Sequence, residues 1–322
     1  MTLFWLLLLF FLMFRHREIG RDLGNYEHIF RTIAQSGWSY AFDRSAEVAY
    51  NILNKLISVL TDDFQWVMAV SAVLSTVFMA GAYRRYSEDA SLSIVLFVNL
   101  SNFVFMFSGL RQAIAISLGF LAFACVRRKK WLWFLLVVTV AMLFHTSAFI
   151  LLVMYPLYHA RITKRWLVFV VPLLGVTMLF NESIFGVLTG ILSRFTKYEA
   201  EIVSTGAYTM IVLFALFAVF SYVIPDESRL DADTMGLRNM LLLSLALQMF
   251  APLHTIAMRM NYYYIAFIPL LLPKVIRYRR EGWRQPALIA RYVMVAFFVV
   301  YFFLSAPKAN SLDTFPYRFM WQ

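Results

Sequence analysis

The chain has 322 residues, of which 61% are apolar and 15% charged, with a formal net charge of +11 and a positive mean hydropathy. A soluble domain holds roughly 45–50% apolar and about 25% charged residues, so this composition excludes an ordinary water-soluble fold. It does not indicate a nucleic-acid partner either, because the Lys and Arg residues fall in short clusters between apolar runs, the pattern of cytoplasmic loops in membrane proteins.

In chain order the apolar runs are 2–14, 65–83, 91–108, 110–126, 131–145, 146–160, 166–180, 207–224, 236–254, 260–274 and 288–304. A spanning helix needs about 20 mostly apolar residues, and several runs meet or approach that length. They are continuous, unlike the alternating segments of a β-barrel. The predicted fold is therefore all-α: one polytopic transmembrane helical bundle over 1–322, with about 11 membrane segments. The first run is short and lacks a basic leader and a small-residue cleavage site, which reads as an anchor and not a signal peptide. Residues 15–64 form a long loop. Within it, Ala46, Ala49, Tyr50, Leu53, Leu56, Ile57 and Leu60 recur at helical spacing, with Glu47, Asn51 and Asn54 on the opposite side. That spacing predicts an amphipathic helix lying at the outer interface.

The densest basic segments are Arg84-Arg85, 127–130, Arg161/Lys164/Arg165 and Lys274 through Arg284. They fall in alternate loops, and placing all four in the cytoplasm satisfies the positive-inside rule. The loops 15–64 and 181–206 and the turns near 109, 145 and 256 then face outward. The stretch 131–160 is short for two full spans, so it is predicted as a tight or re-entrant hairpin turning at His145-Thr146-Ser147.

Ionisable groups at membrane depth are expensive and tend to mark function. Arg111 and Gln112 follow Gly109 at the outer end of a predicted helix; Arg111 either snorkels to the headgroups or offers a guanidinium fork to a phosphate. His145, flanked by Thr146 and Ser147 at an abrupt break, is either a structural histidine or a proton acceptor. Arg259, with Tyr262 and Tyr263, suits a sugar–phosphate ligand through charge, hydrogen bonds and stacking; an aromatic belt explains the tyrosines alone. Asp22 and Tyr26 are four apart, consistent with a capped helix start after Arg15 and Gly20. There is no P-loop, no dinucleotide fingerprint and no HExxH. A single cysteine, Cys125, excludes an intramolecular disulfide and a Cys-based zinc site. The expectation is no metal and no cofactor.

Several of these residues in order resemble the EpsG family of bacterial exopolysaccharide proteins, relatives of Wzy-type O-antigen polymerases. They are Arg15, Gly20, Asp22 and Tyr26, then Glu47 and Tyr50, then Gly109-Leu110-Arg111-Gln112. After the Arg127–Lys130 cluster come His145-Thr146-Ser147-Ala148 and, late in the chain, Arg259 with Tyr262. Where the family more often shows Gly-Thr-Asp, this chain has Gly20-Arg21-Asp22. The resemblance implies an outer-leaflet glycosyltransferase joining oligosaccharide units carried on undecaprenyl diphosphate, with membrane lipid around it and a flippase and a chain-length regulator as partners. It implies neither a nucleotide sugar nor a metal. On that reading Arg111 and Arg259 meet the diphosphate, with Gln112 and Ser147 beside them. Asp22, Glu47 and His145 are alternative bases, and Tyr262 and Tyr263 line the sugar groove. A flippase of lipid-linked sugars, a membrane acyltransferase and a non-catalytic assembly partner are the competing classes.

Overall fold

The computed structural model describes all residues except 44–46, 101, 192–205, 306–309 and 311. Ala46 of the predicted interfacial helix and most of the predicted 181–206 loop thus lie outside the described residues. The described residues are helical and contain no strand, with two isolated bridges, Arg15–Phe319 and Pro225–Arg279. The chain divides into two compact units, Met1–Leu152 with Tyr292–Gln322, and Val153–Arg291.

The first unit contains α1 (Thr2–Met13), α2 (Leu23–Gln35), α3 (Trp38–Asp43), α4 (Val48–Leu60), α5 (Gln65–Tyr86), α6 (Ala90–Asn99), α7 (Asn102–Ser108), α8 (Leu110–Arg127) and α9 (Trp131–Phe144). A 3-10 helix, Thr146–Val153, follows α9. Helix α5 packs against α1 and α8, and α8 against α9. The buried faces of α5 and α8 are rich in small residues: Ser71, Ala72, Ser75 and Thr76 on one, Ala113, Ala115, Ser117 and Gly119 on the other. Small side chains let apolar helices approach closely where no hydrophobic effect drives them together. Large apolar side chains, including Trp66, Val73, Val77, Leu132 and Leu136, stay exposed on the outside of the bundle, as a lipid-facing surface requires.

The second unit contains α10 (Met154–His159), α11 (Leu167–Leu179), α12 (Asn181–Ile191), α13 (Gly206–Val223), α14 (Ala232–Gln248), α15 (Thr255–Ile265) and α16 (Ile268–Arg277). Polar side chains join these helices. Ser244 donates to Asn261 (2.7 Å), Asn261 to Gln248 (2.9 Å) and Gln248 to the Ala207 carbonyl (3.2 Å). Helix α17 (Arg284–Ser305) contains the boundary between the units.

Among the described residues, four helices are long and apolar enough to cross a membrane, or up to six if each of two bent helix pairs is one span. The four are α5, α8, α13 and α17. Two sequence expectations are modified. The predicted run 260–274 is divided between α15 and α16, because the helix breaks at Ala266-Phe267. Helix α4 forms as predicted, but with its polar face inward: Asn51, Asn54 and Lys55 are buried, whereas Leu56, Val59 and Leu60 are exposed. The polar residues find partners in the protein and the leucines face outward, the arrangement an interfacial helix adopts when hydrocarbon is the better solvent for Leu.

Candidate functional site

Three of the sequence candidates meet in the first unit. Helices α8 and α9 form an antiparallel hairpin closed by the turn at Arg128–Lys130, where Lys129 takes a positive φ of 55°. The start of α8 and the end of α9 therefore share one end of the hairpin, opposite the basic cluster. Arg111 lies in the first turn of α8, and His145 is the C-cap of α9, where the backbone turns extended. Helix α4 packs on α9 and brings Glu47, its N-cap residue, between the two.

Gly109 permits this junction, because a Cβ there would run into the Phe105 ring. Gly20, at φ 127°, packs against the Phe107 carbonyl, a conformation and an approach that only glycine tolerates. That contact docks the start of α2 on the end of α7, where the Asp22 N–H donates to Ser108 Oγ at 3.2 Å.

Glu47 uses both carboxylate oxygens. Oε2 accepts from Arg111 Nη1, and Oε1 lies 2.6 Å from His145 Nδ1. An ionised carboxylate only accepts hydrogen bonds, so Nδ1 presents a proton to Glu47. The Arg111 guanidinium stands over the Tyr26 ring (5.2 Å) and the Tyr50 ring (5.9 Å), which are themselves 5.7 Å apart. Arg111 Nε is buried without a hydrogen-bond partner. Burial raises the Tyr50 phenol well above its ordinary range, so it stays neutral.

The remaining candidates are placed as follows. Gln112 is buried on α8 next to Arg111, and Ser147 is half-buried two residues past His145. Asp22 occupies the N-cap position of α2, but its side chain makes no capping hydrogen bond there, contrary to the capped start that the sequence suggests. Arg259, Tyr262 and Tyr263 belong to the second unit, on α15, with both tyrosines buried and Arg259 half-buried. His254 caps that helix by accepting from the Ile256 N–H (3.1 Å). Among the described residues no group of His, Cys, Asp and Glu could hold a metal ion.

Three features escaped the sequence reading. Tyr50 registered as an apolar position of α4 and as part of the family pattern without a role, yet it faces Arg111. Arg238 is fully buried in α14, bonded to Glu227 (2.8 Å) and the Ile162 carbonyl (2.9 Å), with its guanidinium 3.9 Å from the centre of the Tyr222 ring. A charge inside an otherwise apolar run was the signal. Arg15, part of the family pattern without a role, is also fully buried.

A family profile described as the EpsG family matches residues 1–319. No curated protein and no solved structure matches the chain.

Proposed function

The chain belongs to the EpsG family, and on that premise we propose that it polymerises polysaccharide repeat units at the outer leaflet of the bacterial cytoplasmic membrane. The donor is a glycan chain on undecaprenyl diphosphate, and the acceptor is the next lipid-linked unit. The observation that carries this reading is the carboxylate of Glu47 bridging Arg111 and His145 at the end of the α8–α9 hairpin remote from Arg127–Lys130. With that basic cluster in the cytoplasm, the bridged end faces outward, where lipid-linked units are joined.

His145 Nε2 takes the proton of the acceptor hydroxyl as its oxygen bonds to the anomeric carbon of the donor. Glu47 holds the tautomer and stabilises the imidazolium that forms, the division of labour of a base and its orienting carboxylate. The anomeric C–O bond breaks with its electron pair going to the diphosphate. Arg111, through Nε and its remaining amino hydrogens, meets the charge that develops there. Tyr26 and Tyr50 hold the guanidinium plane. Glu47 is thus the orienting group, Asp22 a residue of the α2–α7 junction, and Gln112 and Ser147 polar neighbours of the two working side chains. Arg259, Tyr262 and Tyr263 of the second unit are, by their chemistry, candidates to bind a sugar–phosphate group. A flippase and a chain-length regulator are the expected partners.

The test is deletion of the gene in its native host, with surface polysaccharide and lipid-linked precursors resolved by size. Single units capping the envelope or accumulating on lipid are expected, rescued by the wild-type gene and not by Arg111→Ala. Polymer of normal length lacking only a substituent would indicate an acyltransferase instead. Precursors trapped on the inner leaflet would indicate a transporter.

A further inference from the structure

Arg15 follows α1 and is fully buried. Its Nη1 donates to the Leu12 carbonyl at 3.2 Å, and its guanidinium lies 5.4 Å from the Phe107 ring centre. Nε and Nη2 are buried with no hydrogen-bond partner, and among the described residues no carboxylate pairs with Arg15. Burial lowers its pKa to about 10, so it remains a cation at neutral pH. A buried cation without a counter-charge is among the most destabilising features a fold can hold, and Arg238 shows the alternative within the same chain, a buried guanidinium with a carboxylate partner.

The surroundings of Arg15 lead to the cluster at Arg111. Arg15 lies close enough to Tyr50 for the charge on one to act on the other, and the Tyr50 ring also faces Arg111. The Tyr50 hydroxyl is itself buried, beside the Asn54 side chain. Arg15 is covered by the C-terminal segment. His16 N–H donates to the Arg318 carbonyl, Gly20 N–H to Asp313 and Met320 N–H to Phe14, while Tyr317 packs against Phe107 and acts electrostatically on Arg15. A cavity of about 500 Å³ adjoins this segment; Met320 lines it, as does Gln65, which donates to the Arg15 carbonyl.

We propose that Arg15 is a second anion-binding residue, which together with Arg111 and the Tyr50 hydroxyl holds the diphosphate of a polyprenyl-linked ligand when the C-terminal segment shifts. The proposal rests on the lipid-diphosphate reading of the Arg111 cluster and adds the group that supplies the second guanidinium. Two guanidinium groups that both act on one phenol suit the two phosphates of a diphosphate, whereas Arg111 alone is already half engaged by Glu47.

The experiment uses the full chain in lipid nanodiscs, with binding and thermal unfolding measured for wild type and Arg15→Met. The probes are undecaprenyl diphosphate, inorganic pyrophosphate and phosphatidylglycerol. Replacing an uncompensated buried charge by an apolar side chain is neutral or stabilising, so the variant is expected to melt at or above the wild-type temperature. Its affinity for undecaprenyl diphosphate is expected to fall about 10- to 100-fold, as for loss of hydrogen bonds to a charged group. Pyrophosphate is expected to bind more weakly with the same dependence, and phosphatidylglycerol to show none. Unchanged undecaprenyl diphosphate affinity in Arg15→Met, or an equal loss for phosphatidylglycerol, overturns the proposal. Arg15→Gln serves with the same two outcomes if the methionine variant does not fold. Arg15-dependent diphosphate binding in a chain whose deletion leaves polymer length unchanged would remove the polymerase reading and leave this one standing. A polymerisation defect in Arg111→Ala with Arg15-independent binding would do the reverse.

Discussion

Glu47→Gln tests the bridged cluster most directly, because it keeps the size of the side chain and removes only its charge. Glu47, Arg111 and His145 have side chains 15%, 23% and 10% exposed, so the carboxylate works largely out of water. The amide oxygen can accept from one partner only, and its NH₂ then faces the other donor. One charge-assisted hydrogen bond is lost and one donor is left opposed, which costs about 1–3 kcal/mol of stability. The catalytic effect is larger. Without the carboxylate, His145 Nδ1 is no longer required to carry the proton, and Nε2 no longer reliably presents its lone pair. Positioned general bases contribute about 10²–10⁴-fold, so turnover in a reconstituted polymerisation of lipid-linked units is expected to fall by that order. His145→Ala should lower it similarly, and the double variant should be no worse than either single one, as for residues that act as a unit. Turnover of Glu47→Gln within about threefold of wild type, with an unaltered pH profile, would refute the assignment.

Gly109→Ala places a methyl group against the Phe105 ring and is expected to cost about 1–3 kcal/mol through overpacking, with Phe105→Leu restoring the melting temperature. Lys55 donates to the carbonyls of Ile33, Ala34 and Ser36 at 3.3, 3.3 and 2.6 Å, closing the C-terminal end of α2. Lys55→Met should destabilise by about 1–3 kcal/mol, with faster amide exchange confined first to α2. Leu60 is 85% exposed; a spin label at Leu60→Cys in a Cys125→Ala background should be reached by oxygen in preference to a water-soluble nickel chelate. The opposite preference would remove α4 from the membrane interface.

The residues of the candidate site were singled out in the sequence, but their grouping was not. Arg111 and His145 each stood out as a charged or ionisable group at the end of an apolar run, and the basic loop between them implied a hairpin that returns both to one side. Glu47 stood in the family pattern and on the polar side of an amphipathic helix, but periodicity reports which face is polar without saying whether that face meets water or protein. In a membrane chain the usual assignment reverses: Asn51, Asn54 and Lys55 of α4 turn inward together with Tyr50, which faces Arg111, and Leu56 and Leu60 turn outward. Helix ends were the least legible feature. The break between α15 and α16 lies within a run that is apolar on both sides, so hydropathy had no signal there. The burial of Arg15 depends on the C-terminal segment some 300 residues away in sequence, a contact that no local pattern encodes.

Charge balance connects these features. Glu47 pairs with Arg111 and holds His145 Nδ1, so one carboxylate serves both side chains. Arg15 adds one uncompensated positive charge beside it, sharing Tyr50 as a neighbour. On the proposed reading, such a cluster would draw an anionic leaving group toward Tyr50, the neighbour that Arg15 and Arg111 share. On the proposed mechanism, negative charge grows on the diphosphate as the anomeric bond breaks while His145 becomes positive; Arg111, joined by Arg15 once the C-terminal segment shifts, would meet the first charge and Glu47 the second. Neither counter-charge has to be gathered from water during the step. If Arg15 binds the diphosphate as proposed, the cost of leaving it unpaired in the resting protein and its attraction for the diphosphate are one interaction, so its apolar replacement should stabilise the fold and weaken diphosphate binding together.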